Sequence, residues 1–297
     1  MQIIFNPALI NDKCVIALGN FDGVHLGHKA IVQKTVELAK EKQVPAAVMT
    51  FEPHPMHLFR KDKLPIRLTP LKAKIALLER EGIERVYIMK FNRSFAEISA
   101  EDFISRFLAN CHVVTGSNFG FGKGRSGDER LLKAKLGENY TQITEISQAG
   151  EVYSSSLIRK ALKSGDVEAA NKLLGHIYYI DGKVIGGAKL GEGLGYPTAN
   201  IKLKAQMLRP KYGVYAVETN FGAGVANFGL RPTIDGKTEL LEVHIFDFAE
   251  NIYGQDLRVN LLAFIREEKH FENIEALKEQ IGKDAEAAKA IIRSENV

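Results

Sequence analysis

Short apolar runs alternate with amphipathic helical patterns along the first half of the chain. The apolar runs are CVIALGN, PAAVMTF, RVYIMKF, CHVVTG and QITEIS, and between them lie HKAIVQKTVELAKEK, LKAKIALLERE, AEDFISRFLA and ERLLKAKLG. Near-continuous apolar strands separated by amphipathic helices are typical of a parallel sheet covered on both faces. The pattern predicts a doubly wound, Rossmann-like α/β domain with about five parallel strands. Because ligands in such folds bind beyond the carboxyl ends of the strands, we expect chemistry in the loops after Leu18, Thr50 and Thr115.

The pattern changes after this region. Two helical segments, SSSLIRKALKS and DVEAANKLLG, meet at Gly165 and Asp166 and predict a helical joint over 154–175. Beyond it come YYIDGKVIGG, GYPTANIKL, GVYAVETN, AGVANFG, LEVHIFDF and DLRVNLLAFIR, which are strand-like runs with turn signals and no helix between them. This succession predicts an antiparallel β-barrel. The final stretch, IEALKEQIGKDAEAAKAII, predicts a terminal helix packed on it. We place the first domain at 1–178, including the joint, and the second at 179–297.

Composition sets limits on the class of protein. The chain has 297 residues, of which 45% are hydrophobic and 26% charged, and its formal net charge is +4. These values fit about two globular domains. Basic residues are mixed with acidic ones and form no stripe with interleaved aromatic residues, so we expect no nucleic-acid partner. No apolar run approaches the ~18 residues that span a bilayer, and the N-terminus lacks signal-peptide order, so we expect no membrane partner and a cytoplasmic location. Homo-oligomer formation stays open.

The two cysteines carry little information about function. Cys14 and Cys111 each lie in an apolar run that reads as a buried strand. We therefore expect reduced thiols in the core rather than a disulfide or a metal pair.

The first candidate site follows the first apolar run. In VIALGNFDGVHLGHKAIV, three glycines surround His25 and His28, with a predicted strand before them and a helix after them. Glycine lets a phosphate approach the backbone, a helix start offers N–H groups and a positive dipole end, and imidazoles donate to phosphate oxygens. These residue types predict a site for a nucleoside triphosphate.

Four motifs in this half carry a family resemblance. GNFDGVHLGH resembles the GxFDxxHxGH signature of the HIGH-type nucleotidyltransferases. TFEPHP (50–55), GSNFGFGKGRSGD (116–128) and SSSLIR (154–159) resemble further motifs of the FAD synthetase module of bacterial bifunctional riboflavin kinase/FAD synthetases. The resemblance implies a nucleotidyltransferase domain that transfers AMP from ATP to FMN with Mg2+, releases pyrophosphate and forms no covalent enzyme intermediate.

The resemblance also implies roles for individual residues. His25 and His28 are the candidate catalytic residues that hold the ATP phosphates. The other candidate ATP and phosphate contacts in this half are Gly19, Asn20, Phe21, Asp22, Gly23, Gly27, Asn118, Arg125, Ser155, Ser156 and Arg159. The candidate flavin wall consists of Pro53, His54 and Phe59.

Two details of these motifs leave alternatives open. Leu157 stands where the family commonly has an arginine, so either Arg159 alone supplies the guanidinium for phosphate or Leu157 simply packs on the apolar side of its helix. His54 and His57 are not expected to bind a metal, because Pro53 and Pro55 predict an extended loop without helical ligand spacing.

The second candidate site lies in the predicted barrel. GYPTAN, NFGLRPT, LEVHIFDF and IYGQ together resemble the riboflavin kinase module, whose six-stranded barrel phosphorylates the 5′-hydroxyl of riboflavin with ATP and Mg2+. Period-two alternation in LEVHIF predicts that Glu242, His244 and Phe246 share one face of a strand. By resemblance, Glu242 is the general base, Thr198 and Asn200 bind Mg2+ and phosphate, and two glycines contact ATP. Those glycines are Gly187 and Gly195. The candidate flavin contacts are Asn227, Arg231, Arg266, Glu268 and Phe271, with a solvated charged face as the open alternative for the last three.

One departure in the barrel supports an alternative. The family commonly shows GRxLGxPTAN, whereas this chain has Glu192 in place of the cation. An anion beside the ATP phosphates would weaken ATP binding if its side chain faced them. The main hypothesis is a bifunctional enzyme of FAD biosynthesis that makes FMN from riboflavin and FAD from FMN. The alternative is a monofunctional FMN adenylyltransferase whose barrel binds flavin or regulates.

Overall fold

The structure is a computed structural model that describes residues 1–59, 65–117, 119–144, 147–148, 151–186, 196–233 and 236–295. Contacts between residues divide the chain into two compact units, Met1–Ser155 and Ser156–Val297. In the described parts of both units, no helix is long and apolar enough to cross a membrane.

The first unit is built on a six-stranded parallel sheet with strand order β1-β4-β3-β2-β5-β6. Its strands are β1 (Gln2–Phe5), β2 (Cys14–Leu18), β3 (Ala46–Glu52), β4 (Arg85–Lys90), β5 (Cys111–Gly116) and β6 (Tyr140–Ile143). Its helices are α1 (Leu26–Lys42), α2 (Pro55–Phe59), α3 (Leu71–Arg80), α4 (Arg93–Ala96), α5 (Ala100–Phe107) and α6 (Glu129–Leu136). A short hairpin of β7 (Ser147–Gln148) and β8 (Glu151–Val152) follows.

The predicted doubly wound sheet is confirmed, with one correction to its strand number. Successive residues of β2 enter different core clusters, with Val15 and Ala17 in one and Ile16 and Leu18 in the other, as expected for a sheet covered on both faces. The sheet has six strands rather than about five, because β1 adds to its edge. The edge position leaves Phe5 66% exposed, so β1 lacks the buried character of the predicted runs.

The two cysteines lie in this core. Cys14 and Cys111 are both buried, as predicted, and are direct partners in the β2–β5 pairing. Their sulfur atoms lie 3.3 Å apart. Burial and the neighbouring thiol raise the pKa of Cys111 well above its ordinary value, with the hydrogen bond to Cys14 as the largest cause.

The second unit is a closed six-stranded antiparallel barrel with strand order β10-β13-β12-β11-β14-β9. It begins with α7 (Ser155–Ser164, whose first residue belongs to the first unit) and α8 (Val167–Leu174). The strands are β9 (Tyr179–Ile185), β10 (Ala199–Ile201), β11 (Gly213–Thr219), β12 (Gly222–Thr233), β13 (Gly236–Ile245) and β14 (Asp256–Arg266), and α9 (Ile274–Glu295) follows. The barrel and the terminal helix confirm the prediction.

The helical joint packs with the barrel. Asn171 of α8 donates from Nδ2 to the carbonyl of Leu261 at 3.0 Å and accepts from the backbone N–H of Tyr178 at 2.7 Å. The joint thus belongs to the second unit, which begins at Ser156, whereas the sequence pattern placed the domain boundary after residue 178.

The terminal helix covers part of the outer face of the barrel. Ala288 is fully buried there in a cluster with Val214, Val225 and Leu262. Because interior and exterior residues alternate along each barrel strand, these outward-pointing apolar residues are buried by the helix rather than by the barrel interior.

Candidate functional sites

The loop between β2 and α1 has a strained backbone. Phe21 and Val24 have φ values of 48° and 43°, and Gly23 has a φ of 94°. Non-glycine residues rarely adopt positive φ, and such strain concentrates at binding sites where surrounding contacts impose it. Hydrogen bonds from other segments of the chain hold the turn in this conformation.

Asp22 fixes the turn to a separate segment of the chain. Its carboxylate accepts from the backbone N–H of Leu68 at 3.0 Å and from that of Thr69 at 3.1 Å. Thr69 completes the link, since its hydroxyl accepts from the backbone N–H of Gly23 at 2.7 Å. Asp22 was predicted to contact ATP or phosphate. In the structure its carboxylate binds backbone N–H groups and shapes the turn.

Two hydroxyl groups hold the carbonyl side of the same turn. Thr50, at the end of β3, donates to the carbonyl of Asn20 at 3.0 Å. Ser155 donates to the carbonyl of Asp22 at 2.9 Å. The amide oxygen of Asn20 is buried and has no hydrogen-bond partner in the described part of the chain.

His25 and His28 lie together at the start of α1. His25 caps the helix, because its Nδ1 accepts from the backbone N–H of His28 at 3.3 Å. The two rings stack with centroids 3.6 Å apart. Since Nδ1 accepts, the neutral His25 ring carries its proton on Nε2, which is the atom able to donate to a phosphate. Gly27 permits this packing, because a Cβ there would lie 3.2 Å from the His25 ring.

A buried charged cluster supports the end of β3. Glu52 forms ion pairs with Arg67 and, at 3.3 Å, with Lys74, whose ammonium also donates to the hydroxyl of Thr50 at 3.1 Å. Lys74 is 3% exposed, and this burial lowers its pKa against the opposing influence of Glu52. Sequence reasoning missed this cluster, although helical spacing puts Lys74 on the same face of α3 as Leu77 and Leu78.

The candidate flavin wall includes a short helix, contrary to the predicted extended loop. Pro55 occupies the first position of α2, where its missing N–H costs no helical hydrogen bond. His54 precedes it and accepts on Nδ1 from the backbone N–H of Met56 at 3.2 Å. Phe59, 67% exposed, packs edge-on against Phe91 with ring centroids 6.0 Å apart.

Four further candidate residues belong to this half, and the structure describes three of them. Arg125 is exposed with a φ of 59°, and its guanidinium lies against Gly120. Ser156 and Arg159 lie on α7 in the second unit, where Ser156 is exposed and Arg159 is half-buried. Asn118 lies outside the described residues.

The barrel strands bring three polar residues into one row. Glu242 of β13 is the direct partner of Asn200 on β10 and of Asn227 on β12. Direct partners in antiparallel strands point to the same face. The alternation predicted in LEVHIF is confirmed, because Glu242 and His244 are half-buried whereas Leu241, Val243 and Ile245 are buried.

Both asparagines of this row have an amide oxygen without a hydrogen-bond partner. The Oδ1 atoms of Asn200 and Asn227 are buried, and no described group donates to either of them. A buried acceptor without a partner is costly unless a ligand or an ion satisfies it. This row is therefore the strongest candidate ligand site of the barrel.

Two cavities lie on either side of the turn before β10. One, of about 330 Å³, is lined by Tyr196, His244, Phe246 and the helix residues Gly282, Glu286 and Lys289. The other, of about 260 Å³, is lined by Pro197, Thr198, Val243, Ile245 and the segment 248–253.

Arg266, at the end of β14, joins the candidate flavin contacts to the terminal helix. Arg266 binds Asp284 of α9 through two hydrogen bonds of 2.8 and 2.6 Å, and its guanidinium lies 5.9 Å from the ring of Phe271. The carboxylate of Glu268 lies so close to Gly229 that a Cβ at that position would be 2.0 Å from Oε1. Gly187, Gly195 and Glu192 lie outside the described residues, and Arg231 is described only in its backbone.

Two different protein families match the two halves of the chain. The model of the FAD synthetase family matches residues 8–157, and that of the riboflavin kinase family matches residues 174–292. A bifunctional riboflavin kinase/FMN adenylyltransferase of Haemophilus influenzae is 42% identical, with 99% of this chain and 100% of the relative covered. One of Escherichia coli K12 is 41% identical, with 92% and 91% covered. The chain belongs to the bifunctional riboflavin kinase/FMN adenylyltransferase family.

A solved structure shows the same fold over nearly the whole chain. A Streptococcus pneumoniae protein, described as a macrolide-efflux protein, matches with a TM-score of 0.88 and 29% identity, covering 97% of this chain and 99% of that chain. The matches of both family models favour the bifunctional riboflavin kinase/FMN adenylyltransferase hypothesis over the monofunctional alternative.

Proposed function

We propose that the chain makes FAD in two steps at two separate sites. The barrel phosphorylates riboflavin with ATP to give FMN, and the parallel-sheet unit transfers AMP from a second ATP to FMN. The observation that supports a kinase step beside adenylyl transfer is the row of Asn200, Glu242 and Asn227, because it places a carboxylate between two buried amide oxygens that have no hydrogen-bond partner among the described residues.

The adenylyl transfer needs two anions to be aligned and the charge on the leaving group to be stabilised. An oxygen of the FMN phosphate attacks the α-phosphorus of ATP, the bond from that phosphorus to the bridging oxygen breaks, and pyrophosphate leaves. His25 and His28 stabilise the growing charge together with the start of α1, whose first turn contains no acidic residue. The bonds to Asp22, Thr50 and Ser155 hold the turn in the required conformation.

Thr198 and Asn200, the second of which belongs to the barrel row, fit a magnesium ion. Mg2+ prefers oxygen ligands and is usually bound by one or two protein groups together with substrate phosphates. The hydroxyl of Thr198 and the amide oxygen of Asn200 are such ligands, and the latter is buried without a hydrogen-bond partner in the described part of the chain. Bound there, Mg2+ would neutralise charge on the ATP phosphates.

The kinase step follows from the position of Glu242. Its carboxylate accepts the proton of the 5′-hydroxyl of riboflavin as that oxygen attacks the γ-phosphorus of ATP. The bond from the γ-phosphorus to the bridging oxygen breaks and ADP leaves. The cavity of about 260 Å³, with its lining of Val243 and Ile245, suits the adenine of ATP. The flavin lies toward Asn227, Glu268 and Phe271.

The test is the identity of the products. Purified protein receives riboflavin, ATP and Mg2+, and the flavins are separated by chromatography over time. We expect FMN to appear first and FAD to follow, with FAD alone forming when FMN replaces riboflavin. Formation of FAD from FMN but no product from riboflavin would support the monofunctional alternative and exclude the proposed kinase step.

A further inference from the structure

We infer that His244 is a positioning residue for riboflavin phosphorylation. It donates a hydrogen bond to the carbonyl of Pro197 and thereby fixes the turn that carries Thr198 to the strand that carries Glu242. This inference rests on the proposed kinase function of the barrel.

The hydrogen bond has a defined direction. His244 Nδ1 lies 2.9 Å from the carbonyl oxygen of Pro197. A carbonyl oxygen only accepts, so Nδ1 carries the proton. The ring is also supported by aromatic neighbours, since Tyr196 and Phe246 both contact it edge-on, with centroids 5.2 and 5.8 Å away. These contacts fix the orientation in which Nδ1 faces Pro197.

The bond lies next to the strand pairing that begins β10. Ala199 is the direct partner of Val243, and Pro197 is bound to His244, the next residue along β13. Thr198 therefore lies between two residues that are both fixed to β13. Proline has no N–H to add a backbone bond of its own, so the histidine supplies the restraint on this side of Thr198.

The restraint matters because Thr198 and Glu242 act from different strands. A metal-binding hydroxyl and a general base must keep their separation to within a fraction of an ångström, and a displacement of about 1 Å can lower a rate about 100-fold. The same turn also lies between the two cavities, since Tyr196 and His244 line one while Pro197 and Thr198 line the other. His244 thus acts on the reaction through Pro197 and not on the substrate.

Three substitutions separate this role from a general effect on packing. In His244→Asn the side-chain amide nitrogen can take the place of Nδ1 and donate to Pro197. In His244→Gln the amide is placed nearer to Nε2, and in His244→Ala the donor is lost. We expect His244→Ala and His244→Gln to lower kcat for riboflavin phosphorylation about 10- to 100-fold. We expect His244→Asn to retain kcat within about threefold, and the KM for riboflavin to change little in all three variants.

Two further readouts accompany the rates. FMN adenylylation by the same preparations should equal that of the wild type, because that reaction takes place in the first unit. Near-wild-type circular dichroism and thermal unfolding should show that the barrel of each variant is folded. Hydrogen exchange of the backbone amides in 198–201 should be faster in His244→Ala than in His244→Asn.

The outcomes are distinguishable. A wild type that makes no FMN from riboflavin overturns the proposed function. An active wild type with an equally active His244→Ala, or a His244→Asn as slow as His244→Ala, overturns the inference alone.

Discussion

Asn200 and Glu242 are direct partners in the antiparallel pair of β10 and β13. This register places an amide oxygen and a carboxylate side by side on one face of the barrel, although the two residues belong to different sequence motifs. Removal of the amide should therefore damage the kinase step alone.

We expect Asn200→Ala to lower riboflavin phosphorylation at least 100-fold while FMN adenylylation stays within about twofold of the wild type. Initial rates of the two reactions, measured separately with riboflavin and with FMN, test this. Asn260→Ala is the matched control, because Asn260 lies on β14 opposite Tyr179 and Glu218 and outside the row. Equal losses in both variants would contradict the assignment of Asn200.

Substitution of Asp22 tests whether FMN adenylylation in the parallel-sheet unit depends on the turn between β2 and α1. Asp22→Ala removes the acceptor for two buried N–H groups, those of Leu68 and Thr69, which costs about 1–3 kcal/mol of stability for each group left unsatisfied. We expect FMN adenylylation to fall more in Asp22→Ala than in Asp22→Asn, which keeps one acceptor oxygen, and riboflavin phosphorylation to persist in both. Adenylylation at the wild-type rate in Asp22→Ala would show that the turn needs no such support.

The contact between Glu268 and Gly229 tests the flavin side of the kinase site. Gly229→Ala forces the Glu268 carboxylate to move, since its Oε1 would lie 2.0 Å from the new Cβ. Because Glu268 is exposed and long, we expect the barrel to stay folded while the KM for riboflavin rises severalfold. Glu268→Gln should raise the same KM, and an unchanged KM in both variants would remove Glu268 from the flavin contacts.

Glu239 makes the stability of the barrel depend on pH. Burial alone would raise its pKa, but hydrogen bonds from Tyr212 and Arg209 and the charge of Arg209 outweigh burial and lower it. A carboxyl whose pKa is lower in the folded state stabilises the fold above its ordinary pKa of 4.5, and this stabilisation is lost as the pH falls through the lowered value. Hydrogen exchange in β13 should therefore distinguish Glu239→Gln from the wild type at pH 7 and converge with it under strongly acidic conditions.

The sequence predicted some elements well because their signals are local. Alternation in LEVHIF was sufficient to place Glu242 and His244 on one face. The edge strand β1 was missed because it has only four residues, and α2 was missed because a proline at the first helical position was taken as a sign of extended chain.

The missed parts of the sites depend on long-range contacts. The partnership of Glu242 with Asn200 and Asn227 is set by strand register in a closed barrel, which no local pattern specifies. Likewise, the hydrogen bonds that Asp22 accepts from Leu68 and Thr69 join segments between which α1, β3 and α2 lie.

The central claim is that one chain carries two independent sites, and the most direct test is the product profile of His28→Ala and Glu242→Gln. We predict that His28→Ala converts riboflavin to FMN but forms no FAD, and that Glu242→Gln forms FAD from FMN but no FMN from riboflavin. A mixture of the two variants should then make FAD from riboflavin. Loss of both reactions in either variant, with each variant shown to be folded, would contradict the account of two separate sites.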